Sequence, residues 1–541
     1  MKLTMKKYIY ILLAGVMFAS CDDYLSKTPD NRAELDTKEA IKQLLVTAYP
    51  EYTYVPFAEV MSDNAGDKGS AIDYFAANLL VSSIRSNREA YAWEIITDEA
   101  QDSPNGYWNG CYNAIAAANH ALEAIDNYEG AEDLSAQRGE ALLCRAYAHF
   151  MLVNLWGKQY DPSDVTSLGV PYVTEPEKTM YQPYSRNTVA EVYNLIGKDL
   201  EMGLPLIKDS EYSVPKYHFN RAAAYTFASR YYLFINKPEL AIQAATIALG
   251  TEPSKLLRDW NGSYTPLADE DEVSIKYGQT KENANFLVMG CVSWEGRAFS
   301  YHYGTTYDVL MGMLNSTTVA NMSGTRNWAF KTLSNSSYGV AWIFKFHEFM
   351  KRESVNANYG YGYVVYPVLT AEEALLNRAE AYAMLGTDEG RTKCVQDMNS
   401  YYSKRIQNYD PVKNNVTAAS VLRLYGAEAG DLEPDPFYTI PEESKPYIRC
   451  LLAMRKLEFV QEGHRWFDLR RFNLPVIHKY EDGREIRLEK NDVRRQLEIP
   501  SDAIEFGLQP NRPMEHPSSE IVNESENWLI DGRGDAVEFV K

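Results

Sequence analysis

Apolar residues recur at spacings of three and four in pairs of neighbouring segments, and this pattern constrains the fold more than any other feature. In the first pair, one stripe runs over 112–125 and the next over 142–151, with a short polar break between them. Because residues three and four apart share one face of an α-helix, each stripe predicts a helix, and the two apolar faces are expected to pack together. Segments with the same period cover 189–200, 220–235, 238–248, 370–385, 391–405 and a stretch from about 447. The sequence therefore predicts a mainly α fold.

The connections between these helices divide the chain. Small residues face large ones in segments such as RAEAYAMLG at 378–386, and this arrangement resembles tetratricopeptide repeats with irregular spacing. The long connections at 157–186 and 250–366 are rich in turn residues and aromatics. We predict tetratricopeptide-like helix pairs that form a scaffold, with a loop-rich second subdomain rather than disorder.

The N-terminus has the layout of an export signal. Three lysines precede an apolar run over 8–19, which is too short to cross a bilayer because a spanning helix needs about 20 apolar residues. Phe18-Ala19-Ser20-Cys21 resembles a bacterial lipobox, with Phe18 in place of the usual leucine. We expect residues 1–20 to be a lipoprotein signal peptide and Cys21 to be acylated, for example with palmitate. A plain signal peptide with an incidental cysteine is the alternative.

Composition favours a soluble body that does not bind nucleic acid. Removal of residues 1–20 takes away three lysines and leaves 51 basic and 74 acidic residues, a formal charge of −23. Such a surface repels nucleic acid and anionic lipid. Forty tyrosines and nine tryptophans exceed what packing alone requires, and amphipathic rings suit sugar-stacking surfaces, although most of these rings must belong to the core.

Motifs for catalysis or cofactor binding are absent from the sequence. No nucleophile elbow, P-loop or dinucleotide fingerprint occurs, and HEFMK at His347 places Lys351 where a zinc helix needs its second histidine. The cysteines after Cys21 are odd in number and lack C-x-x-C spacing, so they predict no zinc site or disulfide framework, and a single bridge stays open. We expect Cys111 and Cys144 to be buried. The chain is predicted to be no enzyme and to need no cofactor or metal.

The segment RKLEFVQEGHRWFDLRRFN at 455–473 resembles the signature of the SusD/RagB family of surface nutrient-binding lipoproteins. CDDYLSKTPDN from Cys21, the segment EALLCRAYAHFMLVNLWGKQYDP with LGVPYV, and LEIPSDAIEFGLQPN resemble further parts of that family. The charges within 455–473 are interpreted as scaffold ion pairs. Acid–base chemistry by Glu458, Glu462 and His464 is the alternative.

The resemblance implies a function and a location. Members of the family capture a glycan, or in some cases a peptide, and act as a lid on a SusC-like TonB-dependent transporter in the outer membrane without catalysis. Asp22 and Asp23 resemble the acidic signal that sends Bacteroidetes lipoproteins to the cell exterior. Host mucin glycans and plant or microbial polysaccharides are both compatible ligands. A RagB-like peptide-binding protein is the runner-up, and a surface glycoside hydrolase is the third alternative.

The resemblance also divides the mature chain, 21–541, into parts of a SusD-like domain. The helical scaffold is expected mainly at 36–250 and 367–475, a variable loop-rich ligand-binding region at about 251–366, and a C-terminal tail at 476–541. The tryptophans Trp108, Trp156 and Trp466 lie in or beside helical patterns and are assigned to the core.

Aromatic and polar residues beside glycines give the candidate ligand-binding residues. The first set lies in the middle region and comprises Trp294, Glu295, Arg297, Tyr301, Tyr303, Arg326, Asn327 and Trp328. The second set lies in an early loop region and comprises Asp67, Tyr74, Arg85 and Asn87.

Overall fold

The predicted helices are present in the computed structural model, which describes residues 35–72, 84–99, 101–179, 183–352, 354, 357 and 359–512. At positions 84, 320 and 321 it describes the backbone only. Cys21, the expected signal peptide and Tyr74 lie outside these residues. No helix within the described ranges is both long and apolar enough to span a bilayer.

Helices are numbered within the described residues. Those before residue 260 are α1 (Lys38–Leu45), α2 (Val55–Val60), α3 (Ile84–Tyr91), α4 (Pro104–Asp126), α5 (Ser135–Trp156), α6 (Val189–Gly203), α7 (Arg221–Phe234), α8 (Pro238–Leu249) and α9 (Pro253–Leu256). Those after it are α10 (Glu270–Gly278), α11 (Tyr307–Leu314), α12 (Ala371–Met384), α13 (Asp388–Arg405), α14 (Ala418–Tyr425), α15 (Lys445–Glu458), α16 (His464–Arg471) and α17 (Ser501–Glu505).

Local sequence signals set the ends of these helices as expected. Thr188 and Glu191 form the reciprocal capping box at the start of α6, and the Thr370 hydroxyl accepts the Glu373 amide at the start of α12. Helix α13 begins three residues earlier than the apolar stripe predicts, because Thr387 caps it. The mainly α fold is confirmed.

Successive helices pack in pairs, as the apolar stripes predict. Contacts join α4 to α5, α5 to α6, and α7 to α8, and α8 then packs on α12 and α12 on α13. Phe150 of α5 and Phe227 of α7 meet edge to face at 5.5 Å, which connects the first group of helices to the second. Trp108, Trp156 and Trp466 are buried, as are Cys111 and Cys144, so these core assignments are confirmed.

Buried ion pairs cross-link these helices. Each pair joins an arginine to a carboxylate on another helix: Arg145 to Asp199, Arg230 to Glu373, Arg378 to Asp397, Arg405 to Glu372 and Glu458, and Arg471 to Glu380. A buried charge is costly unless it is paired, so each pair fixes how its two helices are aligned.

The signature segment 455–473 consists of the end of α15, a turn, and α16. Gly463 in the turn has φ +70°, a left-handed conformation that favours glycine, and it lies against the Tyr54 ring. Within the segment Asp468 pairs with Arg455 and Arg471. Other charged side chains of the segment bind residues elsewhere in the chain; for example, Arg465 pairs with Asp63 at 2.7 Å. The segment therefore cross-links distant parts of the chain as well as its own turns.

The strands form small antiparallel sheets, numbered in chain order. They are β1 (Gly66–Asp67), β2 (Asn285–Val292), β3 (Tyr303–Gly304), β4 (Thr332–Asn335), β5 (Val340–Ile343), β6 (Glu348–Arg352), β7 (Gly360–Thr370), β8 (Val476–Lys479) and β9 (Glu485–Leu488). The pairings are β1 with β3, β4 with β5, β8 with β9, and β7 between β2 and β6.

The region 251–366 therefore contains regular structure in addition to loops. Its described residues form α9–α11, five complete strands and part of β7, and Trp260, Tyr264, Tyr277, Phe330 and Ile343 belong to a second core cluster that also includes Leu457 of α15 and Val460. The part expected to be a C-terminal tail begins with the β8–β9 hairpin, and the structure describes it as far as residue 512.

The buried pair at Arg405 gives a stability prediction. Arg405→Met leaves the Glu372 and Glu458 carboxylates buried without this guanidinium, so we expect the free energy of unfolding to fall by about 3–5 kcal/mol. Urea denaturation followed by circular dichroism measures the change. The control Arg138→Met removes an exposed pair with Asp126 and should cost less than about 1 kcal/mol. Equal losses in the two variants would contradict the assigned role of Arg405.

Candidate functional site

The two sets of candidate residues meet at the pairing of β1 with β3. Asp67 of β1 lies opposite Tyr303 of β3, and Gly66 lies opposite Gly304. The Asn87 side chain donates to the Tyr303 carbonyl at 2.8 Å and accepts the Tyr303 amide at 3.0 Å, which adds α3 to the pair. Three of the predicted residues therefore lie together, although Tyr303 is more than 200 residues from Asp67 and Asn87 in sequence.

Asp67 is fixed by hydrogen bonds at the edge of this site. Its Oδ1 lies 2.9 Å from Nε2 of His302 and accepts the Gly69 amide, and its Oδ2 accepts the Glu481 amide. Burial raises the pKa of Asp67, but the His302 hydrogen bond and the amides outweigh it and hold that pKa below its usual range. Asp67 is therefore a carboxylate at neutral pH, with its oxygens directed by the protein.

Tyr303 ends a stack of four rings that runs from the interior to the surface. Tyr303 stacks on Tyr91 at 4.3 Å, Tyr91 on His478 at 4.1 Å, and His478 on Trp93 at 4.3 Å. Tyr480 meets both Tyr303 and Tyr91 edge to face. Because Tyr91, Trp93 and His478 are buried while Tyr303 and Tyr480 are half-exposed, the stack holds two tyrosine rings rigidly at the surface.

His478 is a structural member of the stack. Its two ring nitrogens lie 2.7 Å from the Tyr91 carbonyl and 2.9 Å from the Ser62 carbonyl, and burial lowers its pKa. Composition and spacing in the sequence do not select Tyr91, Trp93, His478 and Tyr480 as site residues. The signal that could have found the last two is the Asp482-Gly483 turn between two alternating segments, which is typical of a β-hairpin.

The middle segment at 294–303 presents Trp294 at its other end. The Trp294 ring is half-buried and lies so close to Gly362 of β7 that a Cβ there would be 2.3 Å from Cδ1 of the ring. Arg297 lies over this ring at 5.8 Å and binds the Glu348 carboxylate through two hydrogen bonds. Trp294 and Arg297 thus sit beside the β6–β7 sheet, while Tyr303 sits beside β1.

Two predicted residues of this segment lie beneath its surface. Glu295 and Tyr301 are 2% and 3% exposed, so neither presents a side chain to a ligand at the surface. The buried ammonium of Lys68 donates to the Tyr301 carbonyl at 2.8 Å and to the Phe299 carbonyl at 2.9 Å. The middle of the segment is therefore held against the core, and this fixes where its two ends lie.

The other predicted residues occupy different places. Arg85 pairs with Glu89 along α3 and is exposed. Trp328 donates to the Leu314 carbonyl and stacks on Phe330, with Arg326 and Asn327 exposed beside it. Trp328 also packs on Tyr402 of α13, and the Asn327 carbonyl accepts the Gln407 amide just after that helix.

The residues of the acid–base alternative are held in the scaffold. Glu458 binds Arg405, and Glu462 binds Lys345 and the Tyr277 hydroxyl. Burial lowers the pKa of His464 to about 3, so this imidazole stays neutral at physiological pH. No cluster of three or more metal-binding side chains occurs among the residues that the structure describes.

A groove of about 750 Å³ lies elsewhere, between α4 and α17 with the segment that follows α17. Its lining combines apolar and aromatic side chains, including Tyr112, Ile115 and Leu508, with Glu175 and Glu177. The candidate residues named above are absent from this lining.

Two family models match the chain, one in each half. The model described as "Starch-binding associating with outer membrane" matches residues 23–233, and the model described as "SusD family" matches residues 301–503. SusD-like protein P38 from Formosa agariphila is 24% identical over 397 residues, which are 68% of this chain and 72% of that protein.

Solved structures share the fold over nearly the whole chain. A putative sugar-binding protein from Bacteroides vulgatus matches with a TM-score of 0.61 at 20% identity, over 89% of this chain and 100% of that one. A SusD superfamily protein from Bacteroides thetaiotaomicron gives 0.59 at 17% identity, over 88% and 98%. A laminarin-binding SusD-like protein gives 0.53 at 15% identity, over 88% and 100%.

Asn87 provides a test of how the site is assembled. Asn87→Ala removes both hydrogen bonds to the Tyr303 backbone and leaves its part-buried amide and carbonyl without these partners, so we expect a loss of about 1–3 kcal/mol in the free energy of unfolding. Thermal and urea unfolding measure it. The exposed Asn109, which bonds only Asn105 on its own helix, serves as the control, and Asn109→Ala should change stability by less than about 0.5 kcal/mol.

Proposed function

The chain belongs to the SusD/RagB family, and from this membership and the site at Tyr303 we propose that it captures glycans at the cell surface without changing them chemically. The family models, together with a sugar-binding and a laminarin-binding protein among the structures that share its fold, support a carbohydrate ligand. The observation that carries the proposal is the pairing of β1 with β3, which presents Tyr303 on a rigid ring stack beside an ionised Asp67.

The chemistry of this site suits a sugar. An oligosaccharide offers apolar CH faces that stack on tyrosine and tryptophan rings, and hydroxyl groups that bind carboxylates and guanidinium groups. Tyr303 and Tyr480 supply half-exposed rings, and Asp67, whose side chain is 7% exposed, supplies a carboxylate beside them. Since Tyr303 is held by the stack and by Asn87, little side-chain freedom is lost when a ligand binds.

Trp294 and Arg297 provide a second contact at the other end of the 294–303 segment. The Trp294 ring is half-buried and backed by Gly362, so only part of it is available to a ligand. An oligosaccharide that reaches both ends would gain a second stacking contact.

A lipid anchor and a transporter complete the proposal. Acylation of Cys21 would tether the protein to the outer membrane, with its body facing the cell exterior. The tether would keep the protein at high local concentration over a SusC-like TonB-dependent transporter, which would receive the captured glycan. The family description "associating with outer membrane" supports this location.

Ring replacement tests glycan capture. We expect Tyr303→Ala to weaken binding of the preferred glycan about tenfold or more, because the outermost ring of the stack is lost. Affinity electrophoresis against laminarin, starch, mucin glycans and plant polysaccharides identifies that glycan, and isothermal titration calorimetry measures the dissociation constant. The control Trp328→Ala changes a ring that packs on Phe330 and should leave the affinity unchanged.

The same samples separate the alternatives. Release of reducing ends from the retained glycan would contradict capture without catalysis and favour a hydrolase. Retention of peptides with no glycan bound would favour the RagB-like peptide-binding alternative. Loss of affinity in Trp328→Ala with none in Tyr303→Ala would instead place the binding site around Trp328.

Cys21 provides the test of anchoring. We expect Cys21→Ser to abolish incorporation of labelled palmitate and to move the protein from the outer-membrane fraction to a soluble fraction, because serine lacks the thiol that is acylated. The control Ser26→Ala should be labelled and fractionate as the wild type does. Unlabelled wild-type protein would overturn the anchor, and glycan binding by purified Cys21→Ser should be intact.

A further inference from the structure

Four ionisable side chains lie buried beneath the segment 293–303. Asp102, Glu295, Lys68 and Glu59 are 3%, 2%, 6% and 5% exposed, and they come from four different parts of the chain. Proposed glycan contacts lie at both ends of the segment, at Trp294 and Tyr303. The charge of these buried groups therefore bears directly on how firmly the segment is held.

Asp102 supports the start of the segment. Its Oδ2 accepts the Trp294 amide at 2.8 Å, and its Oδ1 has no hydrogen-bond partner within the described part of the chain. Its backbone is left-handed, with φ +64°, a conformation that aspartate and asparagine tolerate better than most residues. Burial, with a smaller repulsion from Glu348, raises the pKa of Asp102 to about 6, although hydrogen bonds from Ser293 and Trp294 oppose this shift.

Glu295 lies in the segment itself, and its Oε2 also has no hydrogen-bond partner among the described residues. Burial raises its pKa well above the usual range, and the carboxyls of Asp102 and Glu59 raise it further, whereas Lys68 opposes the shift. An ionised Glu295 would thus stand beside two other carboxyl groups with one buried ammonium as its counter-charge.

Lys68 fastens the end of the segment through the carbonyls of Phe299 and Tyr301. Burial lowers its pKa to about 7, and Glu295 opposes that shift. A charged ammonium makes stronger hydrogen bonds to carbonyls than a neutral amine does.

Other charged groups around the segment are paired with groups of opposite charge. Arg297 pairs with Glu348, Lys345 with Glu462, and His302 with Asp67. Glu59 accepts the amides of Gln461 and Gly463 and the Asn64 side chain, and burial raises its pKa to about 7. Burial also raises the pKa of Cys291 on β2 and of Tyr366 on β7, so both face the cluster as neutral groups.

We propose that Asp102, Glu295 and Lys68 form a proton-controlled seat that holds the segment 293–303, and with it the glycan site, more firmly near pH 5 than near pH 7. The geometric basis is two buried carboxyl groups, each with one oxygen that has no hydrogen-bond partner among the described residues. Asp102 accepts a backbone amide of the segment, and Glu295 belongs to the segment. The consequence for ligand binding rests on the proposed function, whereas the seat itself does not.

The direction in which pH shifts the equilibrium between the seated and the lifted segment follows from proton linkage. When the segment lifts and water enters, Asp102 and Glu295 regain ordinary carboxyl pKa values of about 4. The seated form therefore binds more protons between about pH 4 and 7, and raising the pH through this window favours the lifted form. Below about pH 6 Lys68 is charged in both forms and adds no pH dependence. Above that pH it loses its proton first in the seated form, which opposes lifting.

Hydrogen exchange of the ligand-free protein tests the seat directly. After correction for the intrinsic pH dependence of exchange, we expect amides of 293–303 to open about tenfold more at pH 7 than at pH 5 through Asp102 alone, with a further increase from Glu295. Mass spectrometry of peptides that cover this segment measures the ratio, with peptides from α12 as the internal reference.

Substitutions identify the groups responsible. Asp102→Asn keeps the shape, an acceptor for the Trp294 amide and tolerance of the left-handed backbone, and it should reduce the ratio about tenfold. The double variant Asp102→Asn, Glu295→Gln should lose most of the pH dependence, and Glu59 and Lys68 account for the remainder. The control Asp308→Asn removes an exposed carboxyl of α11 and should behave as the wild type. Circular dichroism checks that each variant is folded.

Two outcomes would overturn the seat. One is equal corrected exchange of 293–303 at pH 5 and pH 7 in the wild type, and the other is an unchanged ratio in the double variant. Because exchange is measured without ligand, pH-dependent protection in a protein that binds no glycan would uphold the seat and reject the proposed function. Glycan bound equally well at both pH values, despite pH-dependent exchange, would uphold the seat and reject its effect on capture.

Discussion

Helix α12 carries the charges on which the rest of the structure depends. Four of its side chains are buried and ionic, and they pair with three other helices: Glu372 with Arg405 and Arg378 with Asp397, both on α13, Glu373 with Arg230 on α7, and Glu380 with Arg471 on α16. Removal of either partner would leave an uncompensated buried charge, which costs several kcal/mol, so these helices have essentially one permitted alignment around α12. Apolar stripes bring the helices together, and the ion pairs set the register in which they meet.

The same constraint reaches the surface through the signature segment. Arg471 ties α16 to α12, and Arg465 on α16 binds Asp63, which follows α2. The Glu59 carboxylate on α2 accepts two backbone amides of the turn before α16. Strand β1 follows directly and pairs with β3, so the position of Tyr303 is determined by a continuous series of contacts that starts in the helical core. The signature segment thereby helps to position the strands that present Tyr303.

Sequence periodicity predicts the helices well because each local signal acts within a few residues. The capping box at Thr188 and the apolar stripes depend on neighbours three and four positions apart, and the buried tryptophans follow from those stripes. The ring stack is different, since Tyr91, His478 and Tyr303 come from three distant segments and no local pattern marks them as neighbours. Composition selects both Trp328 and Tyr303, because each is an aromatic residue near a glycine. It does not reveal that Trp328 packs on Phe330 whereas Tyr303 ends the ring stack. Glu295 shows the same limit, because a charged residue in a glycine-containing segment is expected at the surface and this one is buried.

The exposed rings of the candidate site and the residues that hold its backbone are different residues. Tyr303 and Tyr480 touch other rings and solvent, and neither takes part in the ion pairs around α12, so replacing their outer parts changes the exposed surface at little cost to the fold. Lys68, Asn87 and Asp102 instead hold the backbone of the segment that presents those rings, through its carbonyls and amides. Because backbone contacts do not depend on which side chains the segment carries, one anchoring system can present different rings and so serve different ligands. A fold of this kind can change its ligand while keeping its scaffold, provided that the anchors and their charges are retained.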